Sequence, residues 1–281
     1  MITWDLKKGC FDCLELGDNP QQKIRKYSLN LKLLCYITYI MDSKHILNKK
    51  DFGKWLSSFL LNWNYITRKL LYNAVYKYSK YINWDVLDFW CWEKPYKNLF
   101  KYKKYIWVDY ESSWHDNKNN DIDIYWDGKK IPIEDETFDS FICTEVLEHV
   151  FNIDTTLKEI QRVIKKWGKW IITIPFFVWE HEEPYDFARY TYFWIEDILK
   201  RNGFKIIKHE RLWSSYLTLL QLNISVWTKI IRNSKCYKYF WKLFWFIFRL
   251  PVQIVINALS LLNFSKNQTI YLNNFLLVEK I

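Results

Sequence analysis

Val86-Leu-Asp-Phe-Trp-Cys-Trp-Glu93 is the stretch on which the reading of this chain turns. It opens as an apolar, β-rich run and closes on an acid, where an open α/β sheet keeps the glycine-rich turn that meets a nucleotide. Such a turn takes glycine because the backbone must adopt positive φ and approach the ligand closely, which a side chain would block. Here Trp90 and Trp92 occupy those places.

Downstream, short β-rich runs alternate with helical stretches. The runs Tyr105–Tyr110, Ile122–Tyr125, Ser140–Thr144, Trp170–Pro175 and Phe204–Glu210, with a last strand at Phe275–Lys280, complete the set that starts with Val86–Phe89. This pattern predicts an α/β, Rossmann-like, mostly parallel seven-stranded sheet with helices on both faces. Thr156-Leu-Lys-Glu159 has the form of a capping box, with Leu157, Ile160, Val163 and Ile164 on one face and Lys165 and Lys166 at the end. A second helix near Ile195–Asn202 closes at Gly203. Asp109 follows Asp88 by 21 positions, close to the offset of about 20 at which an acid meets a ribose hydroxyl. That spacing alone suits a nicotinamide-dependent oxidoreductase equally well.

Upstream, Leu56, Phe59, Leu60, Trp63, Ile66, Leu70 and Val75 recur at near-helical spacing. Residues 1–81 are therefore expected to form a helical extension and 82–281 the main domain. Between about 213 and 273 an apolar stretch interrupts the alternation. Within it Tyr239–Phe264 is broken by Lys242, Arg249, Pro251, Gln253 and Asn257, which argues against a clean span of 18 or so uncharged residues. Residues 213–264 are expected either to rest peripherally on a membrane, helped by Lys229, Arg232, Lys235 and Lys238, or to form a buried lid.

A net charge of +10, from 41 basic and 31 acidic residues, favours an anionic partner. The hydrophobic half of the chain excludes a disordered class. Cys10 and Cys13 have CxxC spacing but no second pair follows, so no metal is expected. Without an apparent signal segment, a cytoplasmic location is expected, peripheral to the inner membrane face if the insertion binds lipid.

The motifs Val86–Tyr96, Val108-Asp-Tyr110, Asp127-Gly-Lys-Lys-Ile-Pro132, Phe138-Asp139, Glu145-Val-Leu-Glu-His149, Glu159-Ile-Gln-Arg-Val163 and Glu180–Thr191 occur in this order. Together they resemble class I S-adenosylmethionine-dependent methyltransferases, the bacterial family acting on small-molecule and cell-envelope substrates. The resemblance implies a first-strand turn (Asp88, Trp90, Cys91, Trp92) holding the methionine part of S-adenosylmethionine. It further implies that Asp109, with Tyr110, binds the ribose, that Asp127 and Gly128 face the adenine, and that Thr144 and Glu145 lie beneath the cofactor. His181 and Asp186, just beyond the fifth strand, are the expected catalytic pair. The acceptor is expected to be an oxygen, less readily nitrogen or carbon, of a small or lipid-linked substrate, with no nucleic acid partner. A membrane-associated relative that has lost its cofactor site is the non-catalytic alternative. Glu148 and His149 read as structural.

Trp is present 17 times and Gly only 6 times, where a chain of this length would carry about 20 glycines. Trp90, Trp92, Trp107, Trp167 and Trp194 stand where the resembled family has glycine or a small residue. The expectation is a gene whose UGA codons mean glycine, written out under a code that reads them as tryptophan.

Overall fold

The computed structural model describes residues 4–5, 10–11, 64–90, 94–110, 122–233, 250–262 and 265–281. Cys13, Cys91, Trp92 and residues 239–249 lie outside them. The chain divides into two units, Met1–Trp55 and Leu56–Ile281. In the first, β1 (Trp4–Asp5) and β2 (Cys10–Phe11) pair antiparallel.

The second unit opens with α1 (Tyr65–Tyr78) and builds one sheet. Its strands are β3 (Asn83–Phe89), β4 (Lys101–Tyr110), β5 (Ile124–Trp126), β6 (Phe138–Thr144), β7 (Ile164–Pro175), β8 (Phe204–Leu212) and β9 (Asn273–Lys280). They lie in the order β5-β4-β3-β6-β7-β9-β8, parallel except for β9, which runs antiparallel to both neighbours. The seven expected runs are these strands. Val86, Leu87, Phe89, Phe141, Ile142 and Cys143 are all buried, as central parallel strands covered on both faces require.

Two helices follow crossover logic. In α2 (Ile153–Val163), Leu157, Ile160 and Val163 are buried, while the cap is Asn152, whose side chain accepts from Thr155 N at 3.3 Å. The capping box expected at Thr156–Glu159 is therefore not the helix start: Asn152 supplies the cap one turn earlier. Thr156 is buried, and Glu159 accepts from Ile131 N at 3.0 Å and from Arg162 at 2.8 Å. Lys165 and Lys166 belong to β7, where Lys165 donates to Asp139 at 2.8 Å. The helix α3 (Tyr192–Arg201) starts on the Thr191 side chain and stops before Gly203, whose φ of +81° ends it.

The insertion contributes α4 (Ser215–Asn233) and α5 (Leu250–Leu259), and Ile224 of α4 joins a small apolar cluster with Tyr65 and Ile66. Among the described residues no helix is long and apolar enough to cross a membrane.

Candidate cofactor and acceptor site

In an open α/β sheet, ligands bind beyond the carboxyl ends of the strands, and the expected residues gather there. Asp88, near the end of β3, is buried and accepts from the Tyr105 hydroxyl. Asp109, next to last in β4, is also buried, with Tyr110 N donating to its Oδ1 at 2.7 Å. After β5, Asp127 Oδ1 accepts from the backbone N–H of Lys129 (2.8 Å) and Lys130 (3.3 Å), which hold its carboxyl below the usual range. Gly128, at φ +85°, lies so close to Tyr110 that a Cβ would sit 3.1 Å from its ring. Tyr110 and Trp126 stand edge to face at 6.0 Å. The acid on β4 and the aromatic-lined Gly128 turn on β5 thus lie side by side, as a ribose and an attached flat ring would need.

The loop after Gly128 is fastened from behind. Arg162 donates to the carbonyls of Ile131 (2.8 Å) and Ile133 (2.7 Å) and to Asp135 (2.7 Å), while Glu159 holds Ile131 N. The Glu159–Val163 motif therefore serves the site by fixing its wall.

At the end of β6, Thr144 is buried, and Glu145 (φ +56°) directs its carboxylate to Thr173 Oγ1 and Asn273 Nδ2, each at 2.7 Å. Burial pushes its pKa up to about 7, against those two hydrogen bonds. Glu145 thereby ties β6 to β7 and β9. Burial also pushes the Tyr96 hydroxyl up, helped by the charges of Glu145 and Asp88.

The loop beyond β7 is organised by Arg189, which grips Asp186 with two hydrogen bonds of 2.5 Å. Burial would raise the Asp186 pKa, but these bonds and the His181 N–H at 2.8 Å outweigh it and hold the carboxyl low. Asp186 Oδ2 also lies 3.2 Å from His181 Nδ1. The two expected catalytic residues do meet, with Asp186 already committed to Arg189. Sequence reasoning missed their neighbours. Glu148 and His149 are buried; His149 stands edge to face on His181 at 4.9 Å and 6.5 Å from the Trp90 ring. The available signal was an acid beside a histidine in each of the loops after β6 and β7.

The turn after β3 fits least well. Trp90 has φ +59°, and its indole packs 5.6 Å from Tyr110. The chain as written thus puts a strained, bulky residue between the ribose side and the His149 side.

Residues 97–172 match the family model described as a methyltransferase domain. The match takes in β4, β5, β6 and most of β7, about a quarter of the chain. A sterol 4-C-methyltransferase of Caenorhabditis elegans is 46% identical over 46 residues, 16% of this chain and 14% of that protein, so the chain spans only a small part of that curated relative. Among solved structures, phosphoethanolamine N-methyltransferase 2 of Haemonchus contortus, in complex with S-adenosyl-L-methionine, is similar at TM-score 0.45 and 16% identity, over 83% of this chain and 58% of that one. The YcgJ protein of Bacillus subtilis is similar at TM-score 0.42 and 12% identity, over 74% and 96%. The sheet places Asp88, Asp109, Asp127, Gly128 and Thr144 along one edge, with His181 and Asp186 in the loop beyond β7.

Proposed function

We propose that the chain transfers a methyl group from S-adenosylmethionine to an acceptor oxygen of a small or lipid- or envelope-linked substrate. The observation that carries this reading is the pairing of buried Asp109 with the Tyr110–Gly128 cradle at the carboxyl edge of the sheet. Asp109 would take the ribose hydroxyls, Asp127 and Gly128 the adenine side, and Asp88 and the turn after β3 the methionine end. Bound there, the cofactor supplies a methyl carbon on a positively charged sulfur, which leaves as a neutral thioether.

The chain's own contribution is placement and proton handling. Aligning two bound reactants is worth about 7–11 kcal/mol in favourable cases. On the acceptor side, Arg189 fixes Asp186, and Asp186 orients His181 through Nδ1. This leaves His181 Nε2 to act on the acceptor, either as the base that takes its proton or as a ligand to an ion that lowers its pKa. The residues present fit the ribose and adenine ends; Trp90 does not fit the methionine end. The reading therefore includes glycine at 90 and 92.

Calorimetry of the Trp90→Gly/Trp92→Gly protein with S-adenosylmethionine tests this reading. Saturable binding that NAD does not compete with is the expected result. No binding to either nucleotide would remove it. Peripheral membrane contact through 213–264 is a further part of the proposal. Leu219, Val226, Trp227, Val252 and Val255 are exposed on α4 and α5 and give it an apolar surface.

A further inference from the structure

Glu148 contributes a carboxylate that is fully buried, with neither oxygen hydrogen-bonded. A buried carboxylate without partners is costly, and structures rarely leave one so without a reason. Its Oε1 lies 3.6 Å from His149 Nε2, and Glu182 Oε2 lies 3.7 Å from the same nitrogen. One ligand-type atom from each of Glu148, His149 and His181 falls within 4.8 Å of the others.

The tautomers are set for coordination. His149 Nδ1 faces the Tyr185 carbonyl at 2.9 Å, an acceptor only, so this nitrogen carries the proton and Nε2 the lone pair. Two of the three groups against His181 Nδ1 are acceptors, Asp186 Oδ2 at 3.2 Å and the Trp179 carbonyl at 3.3 Å; the tautomer protonated there donates to them and leaves Nε2 with the lone pair. Metal-bound histidines are oriented in this way, by a carboxylate or a carbonyl on the far nitrogen. Arg189, 3.4 Å from His181 Nδ1, is the nearby opposing charge, and Asp186 already neutralises it.

We infer that Glu148, His149 and His181, with Glu182 as a fourth oxygen ligand, bind a divalent cation of the zinc class. Tetrahedral zinc, with ligands at about 2.0–2.2 Å, needs these atoms to close by about 1.5 Å, within reach of side-chain rotation. The site adjoins the turn after β3, because His149 packs near Trp90. On the methyl-transfer reading, on which this use rests, the acceptor oxygen would displace Glu182 from the ion, which lowers the acceptor's pKa; the released proton would pass to the displaced Glu182 carboxylate or to water.

The test is titration of the metal-free chain with Co²⁺, followed by visible absorption and by competition with Zn²⁺. One ion per chain with a tetrahedral spectrum is expected. Glu148→Gln and His149→Gln should each weaken it at least tenfold, and Asp186→Asn, outside the ligand shell, by about tenfold. Absence of binding, or binding unchanged in all three variants, would overturn the site. Circular dichroism melts of the variants separate lost ligation from lost folding. S-adenosylmethionine calorimetry on the glycine-restored protein reads the cofactor site independently, so either reading can fail without the other.

A different observation, in the backbone, carries a second inference. Among the described residues, eight positions other than glycine have positive φ, and four are tryptophan: Trp84 (+60°), Trp90 (+59°), Trp167 (+65°) and Trp213 (+81°). A chain with Trp at 17 of 281 positions would place about half a residue there by chance. These angles disfavour a bulky side chain and suit glycine; Gly203 has the same φ as Trp213. Buried indoles also lack partners. Trp107, Trp126, Trp170 and Trp213 each bury an Nε1–H with no hydrogen bond, although a buried indole N–H normally finds one.

The backbone points to glycine at 84, 90, 167 and 213 in the native polypeptide, encoded by UGA triplets that the written sequence renders as tryptophan. The cofactor turn would then be open as its fold requires. The codons at these four positions decide it: UGA at all four is expected. Mass spectrometry of the natively expressed protein should show peptides lighter by the Trp-to-Gly difference. UGG codons at the four positions, or tryptophan-containing native peptides, would overturn it.

Discussion

Replacing Trp84 by glycine should stabilise the protein, whereas replacing it by alanine should not. Trp84 is 65% exposed at φ +60°, so its ring contributes little burial while its Cβ strains the backbone. A left-handed conformation costs an L-residue roughly 1–2 kcal/mol. Glycine removes that strain but gives back about 0.5–1 kcal/mol through its freer unfolded chain. The net gain of Trp84→Gly over Trp84→Ala is therefore about 0.5–1 kcal/mol, the reverse of the usual order at strand positions. Trp167, 58% exposed at φ +65°, should show the same difference, since both variants lose the cation–π contact with Lys166 at 5.0 Å, worth about 0.5 kcal/mol, and it cancels between them. Urea unfolding of the glycine and alanine variants at both sites, with melting shifts of about 1–3 °C, measures the difference. Alanine variants as stable as the glycine variants, or more so, would refute the strain argument.

In the glycine-restored protein, Asp109→Ala should weaken S-adenosylmethionine binding at least tenfold, on the order of 1.4 kcal/mol; unchanged calorimetric affinity would remove its ribose role. Arg162→Ala should cost about 2 kcal/mol in urea unfolding, because it frees two carbonyls and two carboxylates at once. Hydrogen bonding from Arg162 holds the Glu159 carboxyl low, so its contribution is complete above about pH 4.3 and is lost as pH falls through the depressed value; Glu159→Gln should flatten stability against pH in that acid range. Burial depresses His209, which stacks on Tyr192 at 3.6 Å, so its contribution is present above about pH 6.5 and declines as pH falls below it; His209→Gln should remove that decline. If 213–264 rests on a membrane, the protein should sediment with anionic liposomes and be partly released by salt, and deletion of that segment should abolish sedimentation.

The sheet was legible because central parallel strands must be continuously apolar, and Val86–Phe89 and Ser140–Thr144 stand out for that reason. Their ends were less so: β7 starts at Ile164, where Lys165 and Lys166 are as compatible with a helix end as with an exposed strand end. The α2 cap was misread because Thr156 and Glu159 have capping chemistry, yet one is buried in the core and the other is drawn to Ile131. Asp109 was singled out by its spacing from Asp88, and Asp127–Gly128 by the family resemblance alone. Glu148 and His149 were not, because only the folded chain shows that the loop after β7 returns to them, with Phe187 N and Ala188 N both donating to the Glu148 carbonyl.

The antiparallel β9 has a consequence for how the protein is made. It lies between β7 and β8, yet it is synthesised after both and after the apolar stretch that contains α4 and α5. During translation β8 therefore emerges with no neighbour to pair with, and β7 keeps an open edge, until Asn273–Lys280 leaves the ribosome. Unpaired edges next to exposed apolar helices are the conditions under which nascent chains associate wrongly. The sheet can close only once Asn273–Lys280 is available, and until then the edges of β7 and β8 and the apolar middle of the growing chain are open to association.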